Sequence, residues 1–169
     1  MNKRQETTFF KNKVTLLGDK IEVGQKAPNF TALNNELKSV QLKDFKDKVI
    51  LISSVPSLDT GVCQMQTVRF NKEVEQIKGL KVITISCDLP FAQSRFCTSF
   101  NTNNVVTLSD HKNLDFGLKY GCVIEELRLL NRAIFVIDKN GIIQYVEYVK
   151  ENTDHPNYDK ALKCVKNII

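Results

Sequence analysis

Read for its alternation of apolar and polar positions, the chain resolves into short β-rich runs separated by helical stripes. Lys48 to Ser54 (K-V-I-L-I-S-S) is a compact, β-branched run that suits a strand buried on both faces. Pro56 ends it, and Ser57, Asp59, Thr60 and Gly61 supply turn and helix-start chemistry. Beyond them Val62, Met65, Val68 or Arg69, Val74 and Ile77 recur every three or four positions, which predicts a helix with those residues on its buried face and Gly79 as its C-cap. A second strand follows over Leu80 to Cys87. Asp88 is then the expected N-cap of a helix with Pro90 in its first turn, Leu89, Ala92 and Phe96 on one face and Cys97 near its end.

The remaining segments are shorter. A hairpin over residues 6–17 precedes the first central strand, turning at Lys11-Asn12-Lys13. Gly24 and Pro28 punctuate an extended approach, and Ser39 to Leu42 reads as a short strand. Val105 to Leu108 is another, followed by a short helix over Asn113 to Tyr120 that Gly121 closes. Arg132 to Asp138 is a strong buried strand, and Lys139-Asn140-Gly141 turns it into Ile142 to Tyr148. A last helix after His155-Pro156 carries Tyr158, Ala161, Leu162, Val165 and Ile169 on one stripe. Helices join the early strands and a tight turn joins the last two. The expected fold is therefore α/β and thioredoxin-like, a mixed central sheet flanked by helices.

Length and composition narrow this picture. At 169 residues the chain suits one domain, residues 1–169, and its 42% hydrophobic and 25% charged content is ordinary for a folded protein. The net charge of +5 comes from scattered Lys and Arg, a solvated basic face without the clustering that a nucleic-acid surface needs. Phe9 and Phe10 run straight into Lys11 and Lys13, so no signal-peptide core forms, and no apolar run could span a bilayer. A cytoplasmic location is expected, with no membrane partner. Five cysteines, an odd number and far apart, do not make a secreted disulfide framework. There is no C-x-x-C pair and only His111 and His155 could supplement one, so no metal is expected.

Chemistry concentrates at Cys63. The first turn of a helix offers unpaired N–H groups and the positive end of the dipole, which favour a thiolate over a thiol. Thr60 lies three residues earlier and can aim its hydroxyl at the sulfur or at an oxygen approaching it. Against this stands the reading of Cys63 as a small buried apolar residue. Cys63 and Arg69 also fit C-x5-R, a phosphatase phosphate loop, but Gln64, Met65, Gln66, Thr67 and Val68 suit a continuous helix and not a glycine-rich cradle.

The segment P-S-L-D-T-G-V-C fits the peroxiredoxin active-site pattern P-x-x-x-T-x-x-C. I-S-C-D-L-P-F-A-Q-S-R-F-C and N-R-A-I-F-V-I-D resemble the thiol peroxidase branch of that superfamily, as V-G-Q-K-A-P-N-F resembles its opening segment. The likeness runs from about Phe9 to Val165. It implies that Cys63 is the peroxidatic cysteine, with Thr60 orienting a hydroperoxide, Pro56 shielding the pocket and Arg132 favouring the thiolate. Cys97 would be the resolving cysteine, forming an intramolecular disulfide that thioredoxin reduces. Two thiols on separate helices would not start within disulfide range, so the first turn of the Cys63 helix is expected to unwind in each cycle. The resemblance also implies a homodimer and no metal, haem or flavin. Cys87 replaces a residue that is usually small in the branch and reads as buried, whereas Cys122 could be exposed and Cys164 flanks the last helix. Two other classes stay open, a dithiol oxidoreductase or phosphatase acting without peroxide, and a non-catalytic thioredoxin-fold binding or chaperone module.

Overall fold

A computed structural model describes residues 1–169. Eleven strands are β1 Lys3–Phe9, β2 Asn12–Leu17, β3 Thr31–Leu33, β4 Ser39–Gln41, β5 Val49–Ser54, β6 Leu80–Ser86, β7 Val106–Ser109, β8 Val123–Ile124, β9 Leu129–Leu130, β10 Ala133–Ile137 and β11 Ile143–Tyr148. The helices are α1 Gly61–Gln76, α2 Pro90–Phe100, α3 Asp115–Lys119 and α4 Tyr158–Ile168. Seven strands form one mixed sheet in the order β11-β10-β5-β6-β7-β3-β4, parallel from β5 through β7 and antiparallel at both flanks. This is the thioredoxin-like arrangement expected from the order of apolar runs. No helix is long and apolar enough to cross a membrane.

The central strands are buried on both faces, and their alternation divides the core in two. Ile50 and Ile52 of β5 join Ile83, Ile85, Phe135 and Ile137 in a cluster with Phe116 and Tyr120 from the α3 side. Val49 and Leu51 join Val82, Ile134 and Val136 on the opposite face, under Phe70 of α1 and Ala161, Leu162 and Val165 of α4. Both β5 and β6 therefore end, at Ser54 and Ser86, on the edge where the first turns of α1 and α2 begin.

Several local expectations shift. The N-terminal hairpin is present, but it turns at Phe10-Lys11 with both residues at positive φ, the geometry of a tight two-residue loop, and its first strand starts at Lys3. Two strands of two residues each, β8 and β9, extend that hairpin into a second four-stranded sheet. The buried side of α1 matches the apolar series read from the sequence only at its end, where Ile77 is buried and Val74 packs against the core; before that it is Cys63, Gln66, Thr67, Phe70 and Asn71, and Met65 is 55% exposed. Three of those five side chains are polar, so a stripe sought through apolar residues misses the first turns of the buried side. Likewise α2 buries Pro90, Gln93 and Phe96, while Leu89 is exposed. The N-cap of α2 is Leu89 and not Asp88, because the Asp88 carboxylate is committed elsewhere. Helix α1 ends at Gln76 with Ile77 as its C-cap, so Gly79 lies beyond it in the turn to β6.

Candidate active site

The end of β5 and the first turn of α1 place Cys63 in a fully buried position, packed with Val55, Leu58 and Phe96. Thr60 is the N-cap residue of α1 in extended conformation, yet its side chain makes no cap bond. Its hydroxyl lies 2.7 Å from the Cys63 sulfur and 3.2 Å from the Ser57 carbonyl, so it is turned toward the thiol. Pro56 is buried just ahead of this turn.

The second donor to the sulfur comes from the opposite side. Arg132, immediately before β10, is only 1% exposed and directs Nη2 to the Cys63 sulfur at 3.2 Å. Nη1 donates to Gln66 Oε1 at 2.6 Å, and Nε and Nη2 donate to the Asn152 carbonyl at 3.1 and 2.9 Å. None of its contacts is an Asp or Glu carboxylate, although a buried guanidinium calls for opposite charge. Of the groups it touches, the Cys63 sulfur is the one able to carry that charge.

A shell of amides fixes this guanidinium. Gln66 lies one turn beyond Cys63 and donates its own Nε2 to Ser53 Oγ at 2.6 Å. Asn152 accepts from the Arg132 backbone N–H through Oδ1 at 2.7 Å and donates Nδ2 to Asn131 Oδ1 and to the Thr8 carbonyl. Thr7 completes the group by contacting Asn131 Oδ1 and the Val149 and Lys150 carbonyls, which ties the hairpin of β1 and β2 to the site. Sequence reading missed Gln66, Asn131 and Asn152. Only Gln66 carried a local signal, its place three residues after Cys63 on the same face of the helix.

Asp88, at the turn after β6, holds the loop that leads to Thr60. One carboxylate oxygen accepts from Ser57 Oγ at 2.7 Å, and the other from the Leu58 N–H and Ser86 Oγ, each at 2.7 Å. Its carbonyl accepts from Ser109 Oγ at the end of β7.

All five cysteines are free. Cys97 is half-buried in α2, packs against the same small cluster as Cys63, and lies 3.5 Å from Thr107 Oγ1. Burial, and after it the charges of Asp110 and Asp88, pushes the Cys87 thiol up to about 12, so it is protonated at neutral pH. Cys122 is fully buried, not exposed, and burial pushes its thiol up as well. Cys164 shifts in the same direction for the same reason. Arg69, the second half of C-x5-R, points away: it pairs with Asp159 at 2.9 Å and lies over the Tyr158 ring at 4.2 Å. Because α1 is continuous from Gly61 to Gln76, no phosphate cradle surrounds Cys63. His111 contacts Ser109 and His155 contacts Tyr158, so neither ring is bonded to the thiol.

Three comparisons bear on this geometry. A family model described as Redoxin matches residues 22–162. The thiol peroxidase of Halalkalibacterium halodurans is 55% identical over 94% of this chain and 96% of its own, and the thiol peroxidase of Bacillus subtilis is 49% identical over 97% and 98%. A crystal structure of a peroxiredoxin-like protein from Aquifex aeolicus superimposes with a TM-score of 0.91 at 40% identity, covering 100% of both chains.

Proposed function

The chain belongs to the redoxin family and, within it, to the thiol peroxidases, and from that premise we propose how its residues divide the reaction. The enzyme is a thiol-dependent peroxidase of the peroxiredoxin kind. Its substrates are hydrogen peroxide and small organic hydroperoxides, and Cys63 is the peroxidatic thiol. The observation that carries this reading is the convergence of the Thr60 hydroxyl and the Arg132 guanidinium on one buried sulfur.

The thiolate attacks the terminal oxygen of the hydroperoxide, an S–O bond forms and the O–O bond breaks. Cys63 becomes a sulfenic acid, while the leaving oxygen takes a proton and departs as water or alcohol. Both donors already face the position where that oxygen must arrive, so they can hold the peroxide in line and meet the charge that develops on the parting oxygen. Pro56 keeps bulk water from the pocket, and Gln66 and Asn152 prevent the guanidinium from turning away.

Cys97 is the resolving thiol. It condenses with the sulfenic acid, an S–S bond replaces the S–O bond, and water leaves; thioredoxin then reduces the disulfide. In the reduced structure both thiols sit within intact helices, α1 from Gly61 and α2 through Phe100, so the first turn of α1 and the end of α2 must open for the sulfurs to meet. With peroxide supplied at one equivalent per chain, the Cys97→Ser variant is expected to consume it in a single round and then show no thioredoxin-coupled turnover. Undiminished steady-state turnover would move the resolving role to another thiol, and the burial of Cys87 and Cys122 argues against both.

The same face suits a second copy of the chain. Met65 on α1 and Leu89 and Phe91 at the start of α2 are more than half exposed apolar side chains flanking the site, a liability for a lone subunit. A homodimer would cover them. Sedimentation equilibrium should give twice the chain mass, and Met65→Asp combined with Phe91→Asp should shift it to one chain; a monomeric wild type would end this part of the reading.

A further inference from the structure

The turn that must open and the helix that brings the second thiol are held by one residue. Asp88 receives three hydrogen bonds on its carboxylate, two of them from Ser57 and Leu58 in the turn before α1. The Leu58 N–H has no other acceptor, and the Leu58 side chain is buried in the cluster that contains Cys63. Ser86 Oγ, the third donor, itself accepts from Gln93 Nε2 in α2 at 3.0 Å. Asp88 also stands two residues before the start of α2, its main chain fixed by Ser109. Hydrogen bonds to a charged acceptor are stronger than those to a neutral one, and three on one carboxylate at 2.7 Å make a firm clasp.

We propose that Asp88 is a positioning residue that latches the Ser57–Leu58 turn against the end of β6, and so sets how long oxidised Cys63 stays in its pocket before Cys97 can reach it. This rests on the roles proposed above for Cys63 and Cys97. While the latch is closed, the sulfenate remains beside Thr60 and Arg132, the groups that activate a peroxide. A second hydroperoxide can then react: the sulfenate sulfur attacks its terminal oxygen, the O–O bond breaks, and Cys63 becomes a sulfinate while water or alcohol leaves. When the latch opens, the first turn of α1 loosens, Cys97 attacks the sulfenic sulfur, and water departs as the disulfide forms. The strength of one clasp therefore decides between recycling and inactivation.

Asp88→Asn keeps the shape and offers one acceptor oxygen in place of two, so it cannot serve all three donors. The test treats reduced protein with a series of hydrogen peroxide concentrations, quenches with acid, and measures Cys63 as disulfide or sulfinate by mass spectrometry. In Asp88→Asn the peroxide concentration giving half sulfinate should rise about tenfold, the effect of losing roughly one charged hydrogen bond from the closed state. Ser57→Ala, which removes one donor to the charged carboxylate, should shift it in the same direction by a comparable factor, up to about tenfold, and it decides the matter if the asparagine variant does not fold. A lower melting temperature with an unchanged ratio of disulfide to sulfinate, or a shift toward sulfinate, would overturn the latch. If wild type forms neither product at Cys63, the proposed roles of the two thiols fail first, and the latch with them.

Discussion

Replacing Cys63 by serine is expected to abolish peroxide reduction, a fall on the order of 10⁴-fold or more, while leaving the fold in place. Serine is slightly smaller than cysteine, and its hydroxyl oxygen can still accept from Thr60 Oγ1 and Arg132 Nη2, so no buried donor is orphaned. What disappears is the nucleophile: an alcohol is scarcely ionised at neutral pH and is a poor partner for peroxide oxygen. The measurement is the rate of peroxide loss with thioredoxin or a small dithiol as reductant, beside a thermal melt of the variant. A folded variant that still consumes peroxide above the buffer rate would exclude Cys63 as the reacting thiol. Loss of the rate with the melt retained would set aside a non-catalytic binding role for the peroxidase activity.

Arg132 carries the second large effect. Arg132→Gln should lower the second-order rate constant for peroxide by about 10²- to 10³-fold, the cost of removing one preorganised donor from a site where charge develops. Glutamine cannot reach Gln66 Oε1, the Asn152 carbonyl and the Cys63 sulfur together, as the guanidinium fork does. Arg132→Lys keeps the charge but not the fork, and should fall between the two. Stopped-flow mixing with excess peroxide, with alkylation of the remaining thiol as the readout, separates the oxidation step from resolution. An oxidation rate that is unchanged in a folded Arg132→Gln variant would leave the guanidinium a purely structural role.

How far these residues could be read in advance depended on the range of the interaction that defines them. The strands β5 and β10 announced themselves because six and five consecutive residues are buried on both faces, and such a run has few alternatives. The place of Cys63 in the first turn of α1 was legible for a local reason too, since Pro56, Thr60 and Gly61 mark the start of a helix within a few positions. The two-residue strands β8 and β9 were not legible, because two residues have no period. The buried side of α1 was read correctly only at Val74 and Ile77, because Gln66 and Asn71 are inside for their hydrogen bonds: Gln66 bonds Ser53 and Arg132, and Asn71 accepts from the Asn104 N–H. Asp88 shows the same limit: local rules favour it as a cap, but two of the three donors it serves lie about thirty positions upstream.

The hairpin that binds Asn152 has a consequence for the order in which the protein is made. Thr60, Cys63 and Cys97 are all synthesised in the first three-fifths of the chain, Arg132 arrives later, and Asn152 later still. The guanidinium is then fixed by a contact between Asn152 and Thr8, separated by 144 positions, which no nascent segment can form until Asn152 has emerged. Closing so long a loop is among the slower steps open to a folding chain. Assembly of the pocket around Cys63 thus waits for Asn152, and until then a growing chain carries Cys63 without the fixed Arg132 guanidinium beside it.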